Sequence, residues 1–166
     1  MPQLKHKMRP ESAKRNCKVF LVDDNRLVRE HVAALLNQEA DLEVCGEASD
    51  APAALSLITQ LTPDLVLLDI ALKGSNGLDL LQELKATQPG LPVLILSMHD
   101  EVMYVERALC GGALGFITKE EATLHLLSAV RKVLSGQPYV SEAMSRRLLD
   151  ARRRTRSPDI QPGTAL

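Results

Sequence analysis

Four short apolar runs in this 166-residue chain each end in a polar residue, of three kinds in all. Asp23 and Asp24 follow Val19-Phe20-Leu21-Val22, and Asp69 follows Leu65-Val66-Leu67-Leu68. Ser97 follows Val93-Leu94-Ile95-Leu96, and Lys119 follows Gly115-Phe116-Ile117-Thr118. Gathered in one place, three carboxylates, a hydroxyl and an ammonium can hold a divalent cation and a phosphoryl group together. Mg2+ takes oxygen ligands in octahedral geometry, typically one or two carboxylates with water and phosphate. Asp24 and Asp69 are the candidates for direct ligation, Asp23 for ligation through a water, and the backbone carbonyl of Ala71 for a further oxygen. A cation there also relieves the mutual repulsion of the carboxylates. Asp69 is in addition a candidate nucleophile, since carboxylates form acyl phosphates. Phosphoryl transfer asks of a protein mainly position and charge stabilisation. Ser97 can hydrogen-bond one phosphoryl oxygen and Lys119 can pair with another.

Something must bring these residues together. The apolar runs read as strands at about 18–23, 42–47, 64–69, 92–97 and 114–118, nearly continuous in Val, Leu and Ile. Such runs belong to parallel strands covered on both faces. Between them lie segments of helical period at about 25–39, 51–61, 77–87, 100–110 and 121–135. Val28, Val32, Leu35 and Leu36 share one face of the first, and Ala122, Leu126, Ala129, Val130 and Val133 one face of the last. Asn25 is placed to cap the first helix, Gly111-Gly112 to end the fourth and Gly136 the fifth. The predicted fold class is α/β, a doubly wound five-stranded parallel sheet of order 2-1-3-4-5, a flavodoxin-like (βα)5 unit with right-handed crossovers. In that order strands one and three are central neighbours. Asp23, Asp24 and Asp69 then lie side by side at the carboxyl edge, where ligands of such sheets bind.

Composition narrows the function. Aromatic residues make up 2% of the chain with no Trp, which argues against nucleic-acid binding by base stacking. Cys17, Cys45 and Cys110 have neither metal-ligand nor CxxC spacing and read as reduced thiols of a cytoplasmic protein. No apolar run reaches the roughly 20 residues that cross a bilayer, and the first twenty residues hold no signal-peptide pattern. Charge is partitioned: +5 over residues 1–18, −10 over 19–145 and +4 over 146–166. An acidic body with basic ends does not resemble a general DNA-binding surface, and the ends read as solvated.

The motifs Val19-Phe20-Leu21-Val22-Asp23-Asp24, Leu67-Leu68-Asp69 with Asn76-Gly77-Leu78, Leu96-Ser97 and Gly111-Gly112-Ala113-Leu114-Gly115-Phe116-Ile117-Thr118-Lys119 stand in an order and spacing of their own. Over residues 17–136 the chain resembles the CheY-like receiver domain of two-component response regulators. The resemblance implies that Asp69 is the phosphoacceptor for a sensor histidine kinase, with Mg2+ required. It implies that Ser97 moves toward the phosphate and Phe116 turns inward, remodelling the face of helix four, strand five and helix five. It implies no enzyme acting on other molecules, only self-phosphorylation from a donor and autodephosphorylation. Homodimerisation on phosphorylation is the expected output.

Gly74, Gly77, the run Gly-Phe-Ile-Thr-Lys-Glu-Glu-Ala at 115–122 and the Gly136–Leu149 stretch are similar to the LuxR/NarL class of transcriptional regulators. That class continues into a helix-turn-helix domain, so contact with DNA is expected only through a domain absent from this chain. A stand-alone receiver acting by protein–protein contacts is the alternative. The expected organisation is a disordered basic leader at 1–16, the receiver at 17–136, a linker helix at 137–156 and a disordered tail at 157–166. Lys73 stands where many receivers have Pro, so the loop after Asp69 is expected to be more mobile and to carry a second cation near the site. Glu120 follows Lys119 in place of a common Pro, and Phe116 replaces Tyr.

Blander readings compete. Three acids converging on one sheet edge exceed what helix capping needs. Ser97, Lys119 and Phe116 alone are an ordinary strand-end hydroxyl, a solvated lysine and a core ring. His99 reads as an exposed loop histidine. Gly111, Gly112 and Gly115 precede a strand, so they are not a dinucleotide fingerprint. A haloacid-dehalogenase-type phosphatase also uses an aspartyl-phosphate, but it wants a second Asp where Ala71 stands. A flavin site would have Asp23 and Asp24 repelling its phosphate.

Overall fold

The structure, a computed structural model, describes residues 15–156. Most of the expected leader and all of the expected tail lie outside those residues. Strands β1 (Cys17–Val22), β2 (Leu42–Ala48), β3 (Leu65–Leu68), β4 (Val93–Ser97) and β5 (Gly115–Thr118) make one sheet in the order β2-β1-β3-β4-β5. Every pairing is parallel, so the order and class are those expected.

Alternation along each strand divides the core. Val19, Leu21, Leu65, Leu67, Leu94, Leu96 and Ile117 face helices α1 (Arg26–Asn37) and α5 (Lys119–Leu134). Phe20, Val22, Val66, Leu68, Ile95 and Phe116 face α2 (Ala51–Leu61), α3 (Gly77–Thr87) and α4 (Val102–Cys110). With apolar residues needed on both faces, the strands read as unbroken Val, Leu and Ile runs. Asn25 caps α1 as expected, its side chain accepting from Leu27 N and Val28 N. Asp50 caps α2 and Asn76 caps α3 in the same manner.

Three segments differ from expectation. α5 begins at Lys119, two residues early, because Thr118 and Glu121 form a reciprocal capping box. Thr118 Oγ1 accepts from Glu121 N at 3.1 Å and Glu121 Oε2 from Thr118 N at 3.1 Å. Two of the orphan amides of the first turn are thereby satisfied, and Lys119 sits on a helix rather than in a loop. The segment after Asp69 is no plain loop either. Ala71–Leu72 pairs antiparallel with Ser75–Asn76, turning at Gly74 with φ +70°.

The third difference is the stretch expected as linker helix from 137. Its first residues are extended instead and run along β5: Phe116 N donates to Tyr139 O at 2.9 Å and Tyr139 N to Leu114 O at 3.2 Å. Only then does α6 (Glu142–Arg156) start. α6 folds back onto α4, with Met144 6% exposed and Val140 and Leu148 packed on the same core cluster. Arg147 Nη1 meets Asp100 Oδ2 at 3.1 Å.

Candidate functional site

The carboxyl ends of β1, β3, β4 and the start of α5 deliver the predicted side chains to one edge of the sheet. Asp23 and Asp69 are 5% and 4% exposed, and Ser97 is fully buried. Parallel pairing of β1 with β3 sets Val22 beside Leu68, so the acids that follow are neighbours. One carboxylate oxygen each from Asp23, Asp24 and Asp69 lies within 4.8 Å of the others. Lys119 reaches both buried acids, Nζ lying 2.8 Å from Asp23 Oδ2 and 3.0 Å from Asp69 Oδ2.

Each acid is also anchored by a backbone amide. Asp23 Oδ1 accepts from Asn25 N at 2.8 Å. Asp69 Oδ1 accepts from Ala71 N at 3.1 Å, which keeps Ala71 at the site. Asp24 Oδ2 accepts from Lys73 N at 3.1 Å, so it is the Lys73 backbone that joins the cluster, and the ribbon it belongs to is tied across the mouth. Ser97 Oγ accepts from His99 N at 3.1 Å. The Phe116 ring is buried three residues before Lys119, the first residue of α5.

Gly77 is required by this geometry. A Cβ there would run into the Asp69 carbonyl oxygen and lie 2.6 Å from Ile70 Cα, because Gly77 N donates to Ile70 O at 2.9 Å. Both obstacles are backbone and cannot swing aside.

Burial pushes the Asp69 carboxyl above its ordinary range, against the opposing pull of Lys119 and the Ala71 amide. Burial alone would lower the Lys119 ammonium, but its pairing with the Asp23 and Asp69 carboxylates outweighs that and raises it. The site thus contains a lysine held charged between two acids, one of which burial makes costly to ionise. The Asp23 Oδ2 atom is buried without an aligned hydrogen bond, Lys119 Nζ being its near neighbour. Hard oxygen donors with an orphaned lone pair fit a cation such as Mg2+.

A protein-family model, the response regulator receiver domain, matches residues 19–131. The chain belongs to that family. The receiver is 32% identical over 148 residues to the transcriptional regulatory protein DegU of Brevibacillus brevis, covering 89% of this chain and 63% of DegU. It is 33% identical over 131 residues to the response regulator GacA of Pseudomonas aeruginosa, covering 79% of this chain and 61% of GacA. A crystal structure of a LuxR-family two-component response regulator from Aurantimonas sp. superposes with a TM-score of 0.79 at 28% identity, covering 83% of this chain and 99% of that one. The receiver spans about three-fifths of the length of the curated relatives it matches.

One residue of the receiver's site gives no signal in the sequence. Arg29, on the second turn of α1, donates from Nη1 to the Asp23 carbonyl at 2.6 Å. Its helical period marks a face of α1, not a reach back to the strand end.

Proposed function

We propose that this receiver is the phosphoacceptor of a two-component phosphorelay, with Asp69 taking the phosphoryl group from a sensor histidine kinase. The observation that carries this is the Lys119 ammonium bridging Asp23 Oδ2 at 2.8 Å and Asp69 Oδ2 at 3.0 Å beside Asp24. Asp24 and Asp69 would hold Mg2+ directly, with Asp23 through a water and the Ala71 carbonyl as a further ligand. The ion supplies charge neutralisation between carboxylates and phosphoryl oxygens. Asp69 Oδ attacks the phosphorus, and the donor's leaving group departs on the opposite side. Lys119 then faces one phosphoryl oxygen and Ser97 Oγ donates to another, its lone pairs remaining free to accept from the His99 amide.

The output in this reading is a changed protein–protein surface through Ser97 and Phe116, with homodimerisation on phosphorylation. Transcriptional control, through a DNA-binding domain outside these 166 residues, follows from the regulators the chain resembles. A stand-alone receiver working through protein contacts is the second form of the same reading. The chain acts on no other substrate, and the cytoplasm is its proposed compartment. Among the described residues no helix is long and apolar enough to cross a membrane.

Intact mass after incubation with acetyl phosphate tests the chemistry. A gain of one phosphoryl group that needs Mg2+ and is suppressed by chelator is the expected result. A gain independent of Mg2+, or one that maps away from Asp69, would contradict it.

A further inference from the structure

We infer that Arg29 is a positioning residue for the carboxylate cluster: it clamps the turn that carries Asp23 and Asp24 by its main chain, without taking up a carboxylate oxygen that a divalent cation would need. This rests on the reading of Asp23, Asp24 and Asp69 as a cation site.

The geometry is specific. Side chains on a helix lean toward its N-terminus, so Arg29 reaches back over the first turn of α1. Nη1 donates to the Asp23 carbonyl at 2.6 Å, and Nε lies 3.3 Å from Glu47 Oε1 on β2. Arg29 N itself donates to Asn25 O at 3.1 Å. One side chain therefore ties together the end of β1, the start of α1 and β2. Its side chain is 13% exposed, and its bond to the Asp23 carbonyl is partly buried, whereas the one to Glu47 is exposed.

The choice of acceptor matters. Lys119 neutralises the cluster through the carboxylate oxygens themselves, at Asp23 Oδ2 and Asp69 Oδ2. A second cation placed the same way would occupy lone pairs that a metal needs. Arg29 instead brings its charge to the cluster through the peptide oxygen. The Asp23 carboxylate is held separately by Asn25 N at 2.8 Å. With both its carbonyl and its carboxylate fixed, the turn has little freedom to let the acids spread apart under their own repulsion. Arginine suits the task because its planar fork serves two acceptors at once and stays charged when desolvated. A lysine's three donors share one nitrogen, so it lacks the spaced fork that serves the Asp23 carbonyl from Nη1 and Glu47 from Nε.

The test compares wild type, Arg29→Gln, Arg29→Lys and Glu47→Gln. Mg2+ binding is followed by amide chemical shifts, thermal midpoint is measured in chelator, and labelling by acetyl phosphate is followed against Mg2+ concentration. Partners that orient metal ligands are commonly worth about 10–100-fold in metal affinity. Arg29→Gln is expected to weaken Mg2+ binding by about that factor, Arg29→Lys by less, and Glu47→Gln least. The Mg2+ concentration for half-maximal labelling should rise in the same order, while the rate at saturating Mg2+ recovers toward wild type. A residue that only supports the fold would lower the thermal midpoint without moving the Mg2+ dissociation constant. Wild-type affinity in both Arg29 variants overturns the positioning role. A wild type that takes up no Mg2+ overturns the cation reading beneath it, a result distinguishable from the first.

Discussion

Asp69→Asn is expected to abolish phosphoryl incorporation outright and, in metal-free protein, to raise the thermal midpoint. The amide has nearly the shape of the carboxylate but no nucleophilic oxygen, so the label has nowhere to go. The stability gain follows from burial. A carboxyl whose folded-state pKa is raised binds its proton more tightly in the folded than in the unfolded chain, so the stability it contributes falls as pH rises from its ordinary range through the raised value. Asp69 is such a group, raised chiefly by burial. At neutral pH its charge is a burden that Asn does not carry, and Lys119 keeps Asp23 as its counter-charge at 2.8 Å. The gain should therefore be largest near pH 7.5 and shrink toward pH 4.5. Intact-mass analysis and melting curves in chelator at both pH values check it. Residual labelling, or a midpoint lower than wild type at neutral pH, would count against the assignment.

Lys119→Met is expected to destabilise the metal-free receiver by about 3–5 kcal/mol at neutral pH, the usual consequence of removing one partner from a buried ion pair. Burial decides the size. The Lys119 side chain is 13% exposed and faces acids of 7% and 5% side-chain exposure. The Arg146–Glu142 pair, 75% and 82% exposed, belongs to the class worth about 0–1 kcal/mol. The amine's raised pKa means its contribution is fully present below the ordinary lysine range and is lost only as pH climbs through the raised value. The penalty therefore applies in full at neutral pH. It should ease in acid, where Asp69 takes up a proton, and Mg2+ should restore part of it by neutralising the same carboxylates. Urea unfolding at pH 5 and 7.5, in chelator and in Mg2+, separates these effects. A variant as stable as wild type in chelator at pH 7.5 would show that the acids do not depend on the lysine.

The site was legible because its logic is topological. In a doubly wound sheet of this order, any residue just past β1, β3 or β4 falls on one edge, so Asp23, Asp24, Asp69 and Ser97 could be gathered without coordinates. The run Gly115–Thr118 brings Lys119 to that edge too, although it does not show that Lys119 starts a helix. The capping pair that starts α5, Thr118-x-x-Glu121, was present in the chain as a readable sign. The ribbon at Ala71–Asn76 was not readable, since two-residue strands are too short to show a period. Arg29 was missed because periodicity reports which face a side chain occupies, never how far it reaches. The docking of α6 depends on Met144 finding α4, a tertiary event behind a helix whose remaining surface is mostly charged. Gly77 stands in the sequence as part of the Asn76-Gly77-Leu78 motif, and its cause is a backbone crossing visible only in three dimensions.

The strand-like run at Tyr139 bears on how the receiver is studied in isolation. The family match ends at residue 131, inside α5, and a cut there or at Gly136 would strip Tyr139 and α6 away together. The Phe116 amide and Leu114 carbonyl would then stand bare on the rim of β5, beside the apolar patch left by Met144. Bare strand rims invite a second molecule to pair along them. A trimmed protein is expected to pair along that rim without phosphate, and such a dimer would mimic the phosphorylation-dependent dimerisation proposed for the intact receiver.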